Sequence, residues 1–146
     1  MLARLKAMLE KAGTPALKPD TELLEGIAAA CVLVGASDGD FDDDEATTAL
    51  DRLLNHDMIS AAFTSSQIEA AFDKQAARAK QGMSGRLGLK REIEEVKSHC
   101  SDSDAEMLLV IAIDVALTDG DISPAERKAL DTVGKAVGLS VERYLE

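Results

Sequence analysis

A chain of 146 residues has room for one hydrophobic core and too few residues for two independent ones. Its net charge of −11 and pI near 4.6 exclude sequence-general nucleic-acid binding, which needs a Lys/Arg excess to displace counterions from phosphates. Hydrophobic residues make up 46%, yet with three Phe, one Tyr and no Trp the core must come from Ala, Leu, Val, Ile and Met, a set that suits close-packed helices better than sheets.

Leu2, Leu5, Met8 and Leu9 share one helical face, and Gly13-Thr14-Pro15 ends that segment, so residues 1–15 read as a short amphipathic helix. The next helix starts at Asp20 as N-cap and turns Leu23, Leu24, Ile27, Cys31 and Val34 inward until Asp38-Gly39 interrupts it. A third runs from about Asp43, with Ala46, Ala49, Leu50, Leu53 and Leu54 on its apolar side. Thr64-Ser65-Ser66-Gln67 has capping-box form and opens a helix through Lys80, with Ile68, Ala71, Phe72 and Gln75 at helical spacing. Gly82, Gly85 and Gly88 predict a permissive, mobile loop over 81–88 before Leu89, Ile93 and Val96 resume a helix. Ser103-Asp104-Ala105-Glu106 reads as a second capping box, and the helix it opens is apolar nearly all round apart from Asp114, which makes it the expected central helix. After Asp119-Gly120 a last long helix runs from Pro124 to about Val137, closed by Gly138, with a final turn through Tyr144. No segment alternates as strands do, and the expected fold is one all-α bundle of about seven helices.

Cys31 and Cys100 have neither a disulfide-framework nor a zinc-finger spacing and read as reduced thiols of a cytoplasmic protein. The N-terminus carries charges where a secretion signal needs an apolar stretch, and the apolar runs 27–36 and 107–113 are too short to span a membrane. His56 and His99 lie far apart without metal-ligand spacing, and no catalytic fingerprint is present, so no enzyme is expected.

One pattern occurs twice. Asp38-Gly39-Asp40-Phe41-Asp42-Asp43-Asp44-Glu45 and Asp119-Gly120-Asp121-Ile122-Ser123-Pro124-Ala125-Glu126 are offset by a constant 81 positions. Each follows an apolar helix, turns at Asp-Gly, buries one apolar residue and ends with Glu on the next helix, so segments 20–56 and 102–138 read as duplicated helix-loop-helix hairpins. The pattern matches the second half of an EF-hand calcium loop, while Val34, Ala36, Val115 and Leu117 stand where a full loop needs its first ligands. The candidate metal ligands are Asp38, Asp40, Asp42 and Glu45 in the first loop and Asp119, Asp121, Ser123 and Glu126 in the second. Six carboxylates within residues 38–45 repel one another, and a hard divalent cation, calcium first and magnesium or another divalent ion next, is the natural compensation.

Capping competes with that reading. Asp42 with Glu45 and Ser123 with Glu126 are also N-cap and N3 pairs, with Pro124 at the favoured N1 position, and each cap stabilises its helix by about 1 kcal/mol without a metal. Capping leaves unexplained why Asp-Gly-Asp precedes the cap twice.

These segments resemble the TerB family of tellurite-resistance proteins, in which an apolar helix runs into Ser-Asp-Gly and an acidic or small stretch ending in Glu, twice per chain. The resemblance runs from about Thr21 to Tyr144. It implies an all-helical bundle, acidic metal sites on the residues just named, with Ser123 making the second site the weaker, and a role in stress or tellurite resistance. It further implies an adaptor that works with protein partners, some of them membrane-associated, and admits a peripheral place at the inner membrane.

Three functions follow as expectations: a cation-binding interaction module, a metal-independent acidic scaffold for a basic protein, and, least supported, a metal-dependent hydrolase. Lys74, Arg78, Lys80, Arg86, Lys90 and Arg91 form an acid-free basic run, read first as a solvated face and second as a partner or anionic-membrane contact.

Overall fold

The computed structural model describes residues 20–39 and 41–145, the side chain of Asp119 excepted. The expected helix over 1–15 and residue Asp40 lie outside the described residues.

Helix α1 (Thr21–Gly35) begins where Asp20 accepts the Glu22 backbone N–H at 2.8 Å, a side-chain cap on an otherwise orphaned donor. Its run Gly26-Ile27-Ala28-Ala29-Ala30-Cys31-Val32 is buried all round. Small side chains let neighbours approach on every side: a Cβ at Gly26 would lie 2.2 Å from Val96 Cγ2 and 3.1 Å from Leu108 Cδ1. Around α1 pack α4 (Ser65–Ala79), α5 (Gly82–His99) and α6 (Asp102–Ala116). The apolar helix α6 is buried almost throughout, so the core has two central helices, α1 and α6, where the sequence pointed to one.

Between α1 and α4 run α2 (Asp43–Leu54) and a short α3 (Asp57–Ala62), the latter not anticipated. A 3-10 turn, Leu117–Asp119, leads from α6 towards α7 (Pro124–Val137), and α8 (Glu142–Leu145) closes the chain. Gly138 ends α7 at φ 75°, the left-handed conformation expected of a terminal glycine. Every described element is helical or a turn, as composition required.

Two expectations fail. Residues 82–88 are not a mobile loop but the first two turns of α5. Gly85 serves close packing in the α4–α5 hairpin, where a Cβ would fall 1.6 Å from the Arg78 carbonyl oxygen, Gly82 takes a positive φ of 67° at the helix start, and Arg78 donates to the Gly88 carbonyl at 3.1 Å. Helix α6 opens at Ser101, not Ser103, and the capping box joins Ser101 to Asp104, whose backbone N–H donates to Ser101 Oγ at 3.1 Å. The earlier start shortens the α5–α6 link to Cys100 and Ser101.

One polar network crosses the core. Gln75, fully buried on α4, donates to Glu25 on α1 at 2.6 Å and to Glu92 on α5 at 3.3 Å, while Arg78 donates to Gln75 Oε1 at 3.1 Å and to Glu92 at 3.0 Å. A buried amide held by part-buried charged groups in this way fixes the register of three helices, because a slip would strand the Gln75 side chain.

Candidate metal centre

The two Asp-Gly turns have the same backbone. Gly39 (φ 93°) donates its N–H to the Ala36 carbonyl at 3.0 Å, and Gly120 (φ 100°) donates to the Leu117 carbonyl at 2.8 Å. Ala36 and Leu117 are separated by the same 81 positions as the two glycines. A Cβ at either glycine would meet nothing within 4 Å, so it is the positive φ that demands glycine here.

After each turn the chain drops one apolar side chain inward. Phe41 is buried, its ring 6.4 Å from that of Phe72, and it lies over Gly35, where a Cβ would come within 2.9 Å of Phe41 Cε1. Its counterpart Ile122 is only half-buried. The next residue caps the following helix: Asp42 Oδ1 accepts the Glu45 N–H at 2.8 Å, and Ser123 Oγ accepts the Glu126 N–H at 3.1 Å. In the second loop the cap is reciprocal, since Glu126 Oε1 accepts the Ser123 N–H at 2.9 Å.

The first turn meets the start of α7. One cleft is lined by Asp38 at the end of the first turn, by Asp44, Glu45, Thr48 and Arg52 on α2, and by Ser123 and Glu126 at the start of α7. Four of the expected ligands, Asp38, Glu45, Ser123 and Glu126, are thus brought into one place with Asp44, which the sequence reading did not count. Asp42 is exposed and spends one oxygen on its cap; Asp121 is exposed and does not line the cleft. Asp40 and the side chain of Asp119 lie outside the described residues. The described cleft carboxylates do not include three with oxygens within 4.8 Å of one another.

The profile of the TerB family, described as tellurite resistance protein TerB, matches residues 24–145. The chain belongs to the TerB family. Searches of curated proteins and of solved structures gave no significant match. Both Asp-Gly turns and the acidic cleft fall inside the matched TerB segment. Among the described residues no helix is long and apolar enough to cross a membrane.

Two histidine arrangements in this TerB chain escaped the sequence reading. His56 caps α3, its Nδ1 accepting the Met58 N–H at 3.3 Å, while its Nε2 stands 2.7 Å from Asp114 Oδ2 on α6. Asp114 is the one acid in the apolar stretch 107–116 of α6, and that anomaly was the available signal. His56 therefore ties the end of the first hairpin to the helix that leads into the second turn.

At the opposite end of α1, about 20 Å from the first Asp-Gly turn at 1.5 Å per residue, Glu22, Glu95 and His99 place their ligand atoms within 4.8 Å of one another. His99 Nδ1 is 3.0 Å from Glu95 and 3.6 Å from Glu22. The hydrogen bond to the Glu95 carbonyl and the charge of Glu22 raise the His99 pKa above its ordinary value. All three side chains are at least 40% exposed, which marks a solvated ion-pair cluster. Cys31 is buried, and desolvation pushes its thiol up to about 12, consistent with an inert core thiol.

Proposed function

We propose that the chain is a non-enzymatic, divalent-cation-binding interaction module, with calcium as the expected ion, that acts in tellurite or stress resistance through a protein partner in the cytoplasm or at the inner-membrane surface. The observation that carries this reading is that the first Asp-Gly turn and the start of α2 share one cleft with Ser123 and Glu126, the cap of the helix that follows the second turn. The donors there are carboxylate and hydroxyl oxygens, a hard set that fits calcium or magnesium rather than a thiophilic metal. Asp38, Asp44, Glu45 and Glu126 are the residues that would hold the ion, with Ser123 the neutral donor beside them, and their side chains would have to swing closer together than they stand here to do so. Bound there, a cation supplies positive charge that offsets the repulsion among acids on both hairpins and so holds α2 to the start of α7. This reading assigns the chain no reaction.

Arg52 favours a second reading. Its guanidinium lines the same cleft, so part of the acidic charge is already balanced by the protein, as a metal-independent acidic scaffold for a basic partner requires. Calorimetric titration of calcium into chelator-stripped protein separates the two. The module reading expects saturable binding that weakens in both Asp38→Asn and Glu126→Gln, one residue from each loop. Binding insensitive to both changes contradicts a shared site, and no binding heat for calcium or magnesium leaves the scaffold.

A further inference from the structure

Apart from the cleft, the feature the fold leaves unexplained is apolar. Among the described residues the large hydrophobic side chains open to solvent are Met83 and Leu87, 79% and 51% exposed. They stand four residues apart on the first half of α5, hence on one face. Together they form one wall of a groove floored by Leu33 of α1 and walled on the far side by Ala125 and Ala129 of α7. Short alanine side chains on α7 keep the groove open, where larger ones would fill it.

Charge distinguishes this groove from the rest of the molecule. Arg86 and Lys90 on α5 and Lys128 on α7 rim it, and no carboxylate is among its described lining residues, in a chain whose net charge is −11. An apolar trough between basic rims is complementary to a helix with an apolar stripe flanked by acids.

We propose that this groove is the docking surface of the module and that its occupant is an acidic amphipathic helix of a protein partner. The occupant's apolar side chains lie between Met83 and Leu87 on one side and Ala125 and Ala129 on the other, and its carboxylates pair with Arg86, Lys90 and Lys128. The chain's own N-terminal segment has the wrong charge for this place, since residues 1–19 contain Arg4, Lys6, Lys11 and Lys18 against Glu10. A bilayer surface is flat, whereas the apolar floor at Leu33 is recessed between two helices.

The groove adjoins the acidic cleft. Ser37 lines both, and Arg86 donates to the Ala36 carbonyl at 3.1 Å, the same carbonyl that closes the first Asp-Gly turn. The far wall belongs to α7, whose first turn carries Ser123 and Glu126. A cation that clamps the first turn to α7 therefore sets the distance between the groove walls. The proposal rests on the interaction-module reading for its purpose, but docking itself does not require the cation.

The test uses the full chain and a fluorescein-labelled helical peptide of about 18 residues, with Leu at i, i+3, i+4 and i+7 positions and Glu on the remaining face. The same peptide with Lys for Glu is the control, and anisotropy is read with calcium and with chelator. The proposal expects the acidic peptide alone to bind. Met83→Ser with Leu87→Ser should weaken that binding at least about tenfold, since burial of each anchor is worth more than the 1.4 kcal/mol that a decade requires. Lys128→Glu should weaken it as well and admit the Lys peptide. Both variants change exposed side chains and should melt within about 2 °C of the parent.

Equal binding of the two peptides, no binding of the acidic one, or affinity unchanged in the double variant overturns the proposal. Cosedimentation with phosphatidylserine vesicles, or dimerisation in sedimentation velocity, that is lost in the double variant while the acidic peptide fails to bind overturns it in favour of a membrane or a second copy. Peptide binding that is the same in chelator, together with no calorimetric calcium binding, upholds the groove and refutes the cation reading.

Discussion

The two Asp-Gly loops share a backbone and differ in what they add to it. Each closes the same hydrogen-bonded turn through a positive-φ glycine and ends in an N-cap three residues before a glutamate. The first carries Asp42, Asp43 and Asp44 where the second has Ser123, Pro124 and Ala125, and it pins itself with a buried Phe41, whereas the second rests on a half-buried Ile122. The shared parts are what a helix-turn-helix needs to fold. Of the first loop's extra acids Asp42 is the cap, Asp43 stands 3.6 Å from Lys80, and Asp44 adds a carboxylate to the cleft.

The comparison breaks most visibly at the apolar anchors. Phe41→Ala should cost about 3 kcal/mol in urea denaturation, and Ile122→Ala about 1 kcal/mol, because a buried ring forfeits more contact than a half-buried side chain. Equal losses would mean that the first loop is not the better anchored one. Next come the turns: Gly39→Ala and Gly120→Ala should each cost on the order of 1–2 kcal/mol and by similar amounts, since both impose a positive φ on a residue with a Cβ. A large inequality would show that the two turns are not one repeated device.

Caps give a smaller effect. Asp42→Ala and Ser123→Ala should each lose about 1 kcal/mol. Added calcium should restore none of the Ser123 loss if that residue acts through capping alone. Smallest is the change at the far end of α1, which serves as a control for the acidic cleft. The raised pKa of His99 means that its protonated form is favoured in the fold, so its contribution is full below the ordinary histidine value and fades as pH rises through the raised one. Melting temperature followed from pH 5 to 8 should show that fade in the parent and not in His99→Gln; an identical profile in the two would remove the Glu22–Glu95–His99 cluster from the account.

Much of the fold was legible because its signals are local. Caps at Asp20, Asp42, Thr64 and Ser123, helical apolar spacing and the terminal Gly138 mark α1, α2, α4 and α7 without reference to anything distant. The Gly82–Gly88 stretch misled because glycine's cost in a helix is local, while the benefit of Gly85, room for the Arg78 carbonyl, is tertiary. The Ser103–Glu106 cap was the one read from the sequence, and the overlapping Ser101–Asp104 pattern, of the same spacing, is the one the fold uses. For the site, the repeat predicted related turns, but not that Asp38, Asp44 and Glu45 share a cleft with Glu126. That juxtaposition depends on how α2 and α7 pack. His56 and Asp114 were likewise visible only as separate oddities until the fold joined them.

The central proposal, that the acidic cleft binds a divalent cation, is tested most directly by thermal unfolding of chelator-stripped protein with and without calcium at matched ionic strength. A ligand specific for the folded state adds about 2.7 kcal/mol at a hundredfold excess over its dissociation constant. The account predicts a calcium-dependent rise in melting temperature that is lost in Asp38→Asn and in Glu45→Gln. A response no larger than that of the ionic-strength control would contradict it and leave the doubled motif as two capped turns on an acidic scaffold.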